Sequence, residues 1–238
     1  MYVEPKFLAC GDSALSVEFG DTIDIEVNAR VLTLDRSVSR QPIAGITETV
    51  PTYRSLLIHY DPLQTTFAEL QRDLLPRLKT EDLSGIATNR AWSVPVVYGG
   101  EFGIDLEMIA IEKQITTAEL IERHSTRDYR VCMIGFMPGF AYLGGLDERL
   151  ATPRRKQPRP AAPRGTISIG GEQTALQSVP GPSGWHWIGR TPLDVYAPDR
   201  NPMCLLEPGD IIRFYPIERR EWAAETRRCE AMIRETLQ

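Results

Sequence analysis

With 238 residues, 42% hydrophobic and 25% charged, the chain has the composition of a globular protein long enough for one large domain or two small ones. A formal net charge of −5 and the lack of any apolar run of transmembrane length argue against nucleic acid and membrane as partners. MYVEPKFLAC lacks the basic start and apolar core of a secretion signal, and Cys10, Cys132, Cys204 and Cys229 form no metal spacing, so reduced thiols in the cytoplasm are expected.

FLACGDSALSVEFG reads as two short strands around a turn at Gly11 and Asp12. Ile23, Val27, Val31, Leu34 and Val38 recur at helical spacing and predict a helix from Asp21 to about Arg40. ITETVPTYRSLLIHYDP holds two more strands, broken at Pro51. Thr66 and Glu69 form a capping box that opens a helix burying Phe67, Leu70, Leu74 and Leu78. Pro76 is expected to kink or end that helix. The order β-β-α-β-β-α predicts a small ferredoxin-like α/β domain over residues 1–88, with two helices covering one face of a mostly antiparallel sheet. His59 alternates with apolar neighbours in a strand and reads as an edge or core histidine.

The polar stretch TEDLSGIATNRA marks the boundary to a second domain, residues 89–238. WSVPVVYGG reads as a strand, DLEMIAIEKQ and TAELIERHS as short helices, the second capped by Thr116 and Glu119. YRVCMIGF is an apolar strand. Short β-like runs follow (TISIGG, EQTALQS, WHWIGR, LDVYAP and IIRFYP), and with their Gly/Pro turns they suggest a closed barrel or a sandwich. An amphipathic helix over about 219–238 ends the chain, with Trp222, Cys229, Ile233 and Leu237 on one stripe. The fold class is therefore α+β.

Glycine and proline concentrate between Gly135 and Pro192, interleaved with Phe136, Phe140, Tyr142, Trp185 and Trp187. Flexible linkers lack such aromatics, so close-packed loops set against a ligand or partner are expected. No Walker loop, HExxH, GxSxG or strand-borne GxGxxG occurs, and no catalytic constellation or metal site is identified. His124 shares an apolar helical face with Leu120 and Ile121 and reads as a packed or capping residue; His186, between two tryptophans, could face a cleft. TPRRKQPRPAAPRG carries Arg154, Arg155, Lys156, Arg159 and Arg164 without an acid, stiffened by prolines. It reads either as a site for a phosphate, a carboxylate or an acidic partner face, with Arg154 and Arg159 foremost, or as a solvated loop. In SIGGEQT, Gly170 and Gly171 could bring backbone N–H groups to an anion while Gln173 and Thr174 bond a carbonyl, or the pair could simply form a turn or bulge.

PTYRSLLIHYDP, VPVVYGGEFGIDLE, GFMPGFAYLGGLDERLATPRRKQPR, IGGEQT, GWHWIGRTPL and LLEPGDIIRF occur in this order across nearly the whole chain. In these motifs it resembles the family of the 5-oxoprolinase B-type subunit, also called KipI or allophanate hydrolase subunit 1. The resemblance implies a small α/β domain followed by a cyclophilin-like β-barrel with a C-terminal helix. It implies two partners: a homologous larger cyclophilin-like subunit (the 5-oxoprolinase C-type, or KipA-type, subunit) and a third, A-type subunit of the LamB/YcsF kind. Together these couple ATP hydrolysis, with Mg, to opening of the lactam of 5-oxoproline, giving glutamate; no cofactor is expected on this chain alone. Arg154, Arg159 and the Gly170–Gly171 backbone are expected to hold the phosphorylated species at a site shared with the partner. Phe136, Phe140, Tyr142 and Trp185 wall it from water, and Gln173, Thr174 and Arg190 complete the substrate contacts.

The segments APRGT (162–166), QTALQS (173–178) and PSGW (182–185) stand where the family commonly has VPAGS, QTGIYP or QTGVYP, and PGGW. Arg164 would then add charge and bulk where a substrate approaches. Two alternatives accompany the enzyme-subunit reading: a KipI-like inhibitor of a sensor histidine kinase, and a paralogous subunit for allophanate or another urea-like or cyclic amide.

Overall fold

Alternating apolar residues build the first sheet. In the computed structural model, which describes residues 1–79 and 90–237, β1 (Lys6–Ala9), β2 (Ala14–Glu18), β3 (Ile46–Pro51) and β4 (Ser55–Tyr60) pair antiparallel in the order β1-β2-β4-β3. Period-two alternation sends Leu15, Val17, Leu56, Ile58 and Tyr60 to one face. There they meet Val27, Val31, Leu34 and Val38 of α1 (Ile25–Arg40) and Leu70 and Leu74 of α2 (Phe67–Lys79). Burying each such side chain is worth about 1.5–3 kcal/mol, which makes this face the main source of stability in the unit. His59 points to the other face of β4 and is half-buried.

Local chemistry sets the helix ends. The Asp24 carboxylate accepts the Glu26 and Val27 N–H groups at 2.7 and 3.1 Å, so α1 starts at Ile25 and not at Asp21; Ile23 precedes the cap and is exposed. Thr66 and Glu69 form the expected capping box, with reciprocal bonds of 2.9 and 3.3 Å. Pro76 does not end α2, which runs on to Lys79. Leu74 holds the helix in the core just before the proline, and Arg77 just after it donates to the Ser37 carbonyl at 2.8 Å, offsetting the lost backbone bond.

The chain divides into two units, Met1–Thr88 and Asn89–Gln238. The polar stretch expected between them, 80–91, lies almost wholly outside the described residues. In the second unit β5 (Ala91–Tyr98), α3 (Leu106–Glu112), α4 (Thr117–Ser125), β6 (Asp128–Ile134) and β7 (Ala141–Gly144) come first. After them come β8 (Arg159–Ala162), β9 (Thr166–Gly170), β10 (Gln173–Leu176), β11 (Gly181–Ser183), β12 (His186–Arg190), β13 (Ile211–Pro216) and α5 (Trp222–Thr236). Seven strands close into a barrel, β10-β7-β6-β13-β5-β12-β9, parallel only between β5 and β13; β8 and β11 form a separate two-stranded sheet. Pro95 is tolerated within β5 because β12 pairs with that strand only at Val97 and Tyr98.

Two details differ from the sequence reading. LDVYAP is not a barrel strand: it pairs with its own return segment, through Val195–Leu205, Ala197–Met203 and the Tyr196–Cys204 bridge. The short strands β7, β8 and β11 lie within the Gly/Pro-rich region, where three or four residues give no readable period. As expected, Thr116 caps α4, accepting the Glu119 N–H at 3.1 Å, and α5 buries Cys229 and Ile233. Among the described residues no helix is long and apolar enough to cross a membrane.

His124 is fully buried in the barrel unit, against Tyr98, Tyr129 and Phe214. The Thr174 hydroxyl donates to the Ser168 carbonyl at 3.0 Å, so it accepts from His124 Nε2 at 3.0 Å; Nδ1 then accepts from the Tyr98 hydroxyl at 2.8 Å. The imidazole is neutral, since burial pushes its pKa down to about 3. It is a satisfied core residue.

Candidate functional site

A cleft of about 390 Å³ opens beside β7 and the β8–β11 sheet. Its first wall comes from the turn between β6 and β7, closed by Gly135 N–H to Phe140 O at 3.1 Å and Phe140 N–H to Met137 O at 3.1 Å. Phe136 sits in this turn at φ +66°, a left-handed conformation unfavourable for a bulky residue, with 63% of its surface exposed. Phe140 and Tyr142, two residues apart, share a strand face. Trp185 closes the far side. The rings meet edge to face: Phe136–Phe140 at 5.7 Å, Phe140–Tyr142 at 4.8 Å and Tyr142–Trp185 at 5.8 Å between centroids. Burial raises the Tyr142 pKa, against the opposing charge of Arg154, so the phenol stays protonated.

Gly170 seats this wall. A Cβ there would stand 2.4 Å from the Trp185 indole, so only glycine lets the ring lie flat on β9. Gly170 thus lies behind the indole and is not part of the cleft lining. Gly171 takes φ +66° at the β9–β10 turn, and its N–H donates to the Thr152 carbonyl at 2.7 Å. Thr174 is committed to the core bonds with His124 and Ser168, and Gln173 is buried in β10 away from the cleft lining.

The run of cations divides. Arg159 forms a two-pronged pair with Asp105, at 2.7 and 2.8 Å, and lies 4.6 Å from the Trp187 ring centroid. Arg155 reaches the same carboxylate at 3.4 Å while lining the cleft. Arg164 pairs with Asp194 at 2.9 Å and does not line the cleft, so the charge expected to crowd a substrate is directed elsewhere. Arg190 also lies away from the cleft: its Nε donates to the Arg164 carbonyl at 2.8 Å and its guanidinium sits over Trp222. Desolvation and the Arg164 charge lower its pKa. Arg154 has no carboxylate partner among the described residues; it lies 5.6 Å from the Trp185 ring centroid, at the cleft. His186 turns to the loop and not to the cleft, its Nε2 donating to the Pro153 carbonyl at 2.9 Å.

Two residues not singled out as contacts also line the cleft. Gln177 donates its Nε2 to Val179 O at 2.8 Å, which leaves its carbonyl oxygen without a partner among the described residues, and Ser183 sits beside Trp185. Both fall in segments that depart from the family pattern, and that was their sequence signal. Asp105 lies in the motif VPVVYGGEFGIDLE, but nothing local ties it to Arg159, 54 residues away. Aromatic walls, a free guanidinium and an amide oxygen suit a small flat anion carrying an N–H group. Among the described residues no cluster of His, Cys, Asp and Glu could hold a metal ion.

Residues 5–206 match the family described as carboxyltransferase domain, subdomain C and D. The chain is 38% identical to the B-type subunit of 5-oxoprolinase from Bacillus subtilis (strain 168), across 94% of this chain and 98% of that protein. A solved structure of a conserved uncharacterized protein from Pyrococcus horikoshii is 40% identical, with a TM-score of 0.55, covering 91% of this chain and 100% of that one. The solved structure of TTHA0988 is 32% identical with a TM-score of 0.74; it covers 86% of this chain, which spans only 40% of TTHA0988.

Proposed function

The chain belongs to the family described as carboxyltransferase domain, subdomain C and D, alongside the B-type subunits of 5-oxoprolinase, and on that premise we propose that it is a subunit of an ATP-dependent 5-oxoprolinase. The observation that carries the reading is 38% identity over 98% of the Bacillus subtilis protein. In this reading the two units are the two domains of the subunit, divided near residue 88, and the protein works in the cytoplasm. Its partners are two further subunits, one of them larger, homologous and cyclophilin-like; the complex uses ATP with Mg.

The chemistry explains the need for a shared site. A lactam is resonance-stabilised and reacts slowly with water. Transfer of the ATP γ-phosphoryl group to the lactam oxygen gives ADP and an activated carbon; water adds there, the C–N bond breaks, and a second water releases phosphate, leaving glutamate. Arg154 would steady the negative charge of the bound species, and Phe136, Phe140, Tyr142 and Trp185 would exclude water until the partner closes the cleft. Arg159 and Gly170 support that wall from behind, while Gln173, Thr174 and Arg190 make no contact in it.

Co-expression with both partner subunits tests the reading. The purified complex should hydrolyse ATP only when 5-oxoproline is present and release glutamate, and this chain alone should do neither. Glutamate release by the single chain would overturn it.

A further inference from the structure

The geometry points to Asp105 as the positioning residue of the cleft, holding the loop that presents Arg154. The inference rests on the proposed reaction only for its kinetic arm. Asp105 stands at the front of α3, where a carboxylate ordinarily caps its own helix, yet it makes no such bond. Both of its oxygens turn the other way. Oδ2 accepts the Trp187 N–H at 2.8 Å and Arg159 Nη1 at 2.8 Å; Oδ1 accepts Arg159 Nη2 at 2.7 Å and Arg155 Nη1 at 3.4 Å. The carboxylate is nearly inaccessible to water, with a side chain only 6% exposed. Burial raises its pKa, but the Arg159 and Trp187 hydrogen bonds and both arginine charges outweigh that and hold it below the usual carboxylate range.

These contacts fix the loop on both sides of Arg154. Thr152 bridges Gly171, the Pro153 carbonyl accepts from His186 Nε2, and the Arg155 N–H donates to Gly184 O at 2.8 Å. Asp105 binds the Arg155 and Arg159 side chains beyond. Of the two arginines lining the cleft, Arg155 is drawn toward Asp105 and Arg154 has no carboxylate partner among the described residues, with its backbone anchored before and after. Asp105 also neutralises charge: with Arg159 paired and Arg155 partly drawn off, the cleft presents one directed guanidinium in place of a diffuse field. Such preorganisation costs no reorganisation at the moment of reaction.

Asp105→Asn keeps the shape and an oxygen for the Trp187 N–H but removes the charge that collects the two arginines. Hydrogen exchange on the full-length single chain should show the Arg155 amide exchanging at least about tenfold faster, with the Trp187 amide and barrel amides such as Val131 unchanged. In the reconstituted complex kcat should fall about tenfold with KM for ATP unmoved, and the same substitution in an Arg154→Ala background should cause no further loss, because Asp105 acts through Arg154. Unchanged exchange at Arg155, or an equal additional loss in the Arg154→Ala background, would overturn the inference. A wild-type complex without turnover would defeat the proposed reaction, and the exchange result on the single chain would then decide the role of Asp105.

Discussion

The Arg154 guanidinium lies 5.6 Å from the centroid of the Trp185 ring with no acid among the described residues to claim it, whereas Arg159, five residues on, covers Trp187 with its charge already answered by Asp105. Two arginines from one sequence run, one over Trp185 just before β12 and one over Trp187 within it, therefore have opposite duties. Arg154→Ala removes an exposed contact worth about 0.5–1 kcal/mol and should leave the thermal midpoint nearly unchanged. Turnover of the reconstituted complex should fall at least about tenfold. Arg159→Ala leaves a buried carboxylate short of its main partner, a loss of about 3–5 kcal/mol. The midpoint should then drop by about 10 °C. Calorimetry and steady-state assays on both variants separate the two roles, and equal midpoints would contradict the assignment.

Gly170→Ala places a methyl group 2.4 Å from the Trp185 indole. The ring has to shift, at about 1–3 kcal/mol, and the aromatic wall moves with it. Tryptophan emission should change, and turnover should fall more than the stability loss alone accounts for. Gly171→Ala serves as the comparison, because its Cβ meets open space and only its positive φ resists substitution.

Phe136→Gly removes an exposed ring and relieves a φ of +66°. Its stability should hold or rise, within about 1 kcal/mol, as measured by urea unfolding. If the ring shields the reacting species, the variant complex should hydrolyse ATP with less glutamate formed per nucleotide. A cleft that needs no cover would give an unaltered ratio.

The buried neutral imidazole of His124 makes stability depend on acid. The unfolded chain takes up this proton near pH 6.5 and the folded chain only near pH 3, so the unfolded state binds more protons throughout that window. Stability from this group is complete above pH 6.5 and is lost on acidification at about 1.4 kcal/mol per pH unit. His124→Gln can keep the bonds to Tyr98 and Thr174 without titrating. It should be less stable at pH 8, from lost ring contacts, with a flatter slope between pH 6.5 and 4. Urea midpoints across that range check the difference.

Periodicity and caps made much of the fold readable. The β-β-α-β-β-α unit rests on residues whose partners lie close in sequence or on the same face: Leu15 and Val17, Leu56 and Ile58, Thr66 with Glu69. The aromatic members of the cleft were also legible, because Phe136, Phe140, Tyr142 and Trp185 beside glycines have no place in a linker. The charged members were legible only as a group. Which arginine is free depends on an aspartate 54 residues away, a spacing with no local signature.

Composition and pattern by themselves determined the two-part α+β organisation, a turn-rich run of short strands that could form a barrel or a sandwich, and the presence of an aromatic, cationic region, since each of these follows from short-range steric and solvation preferences. Closure of seven strands into a barrel, the seating of Trp185 on Gly170, and the division of labour between Arg154 and Arg159 were decided only by tertiary structure. A charge has no fixed role along the chain; it acquires one when folding either buries an opposite charge within reach or leaves it facing an open cleft.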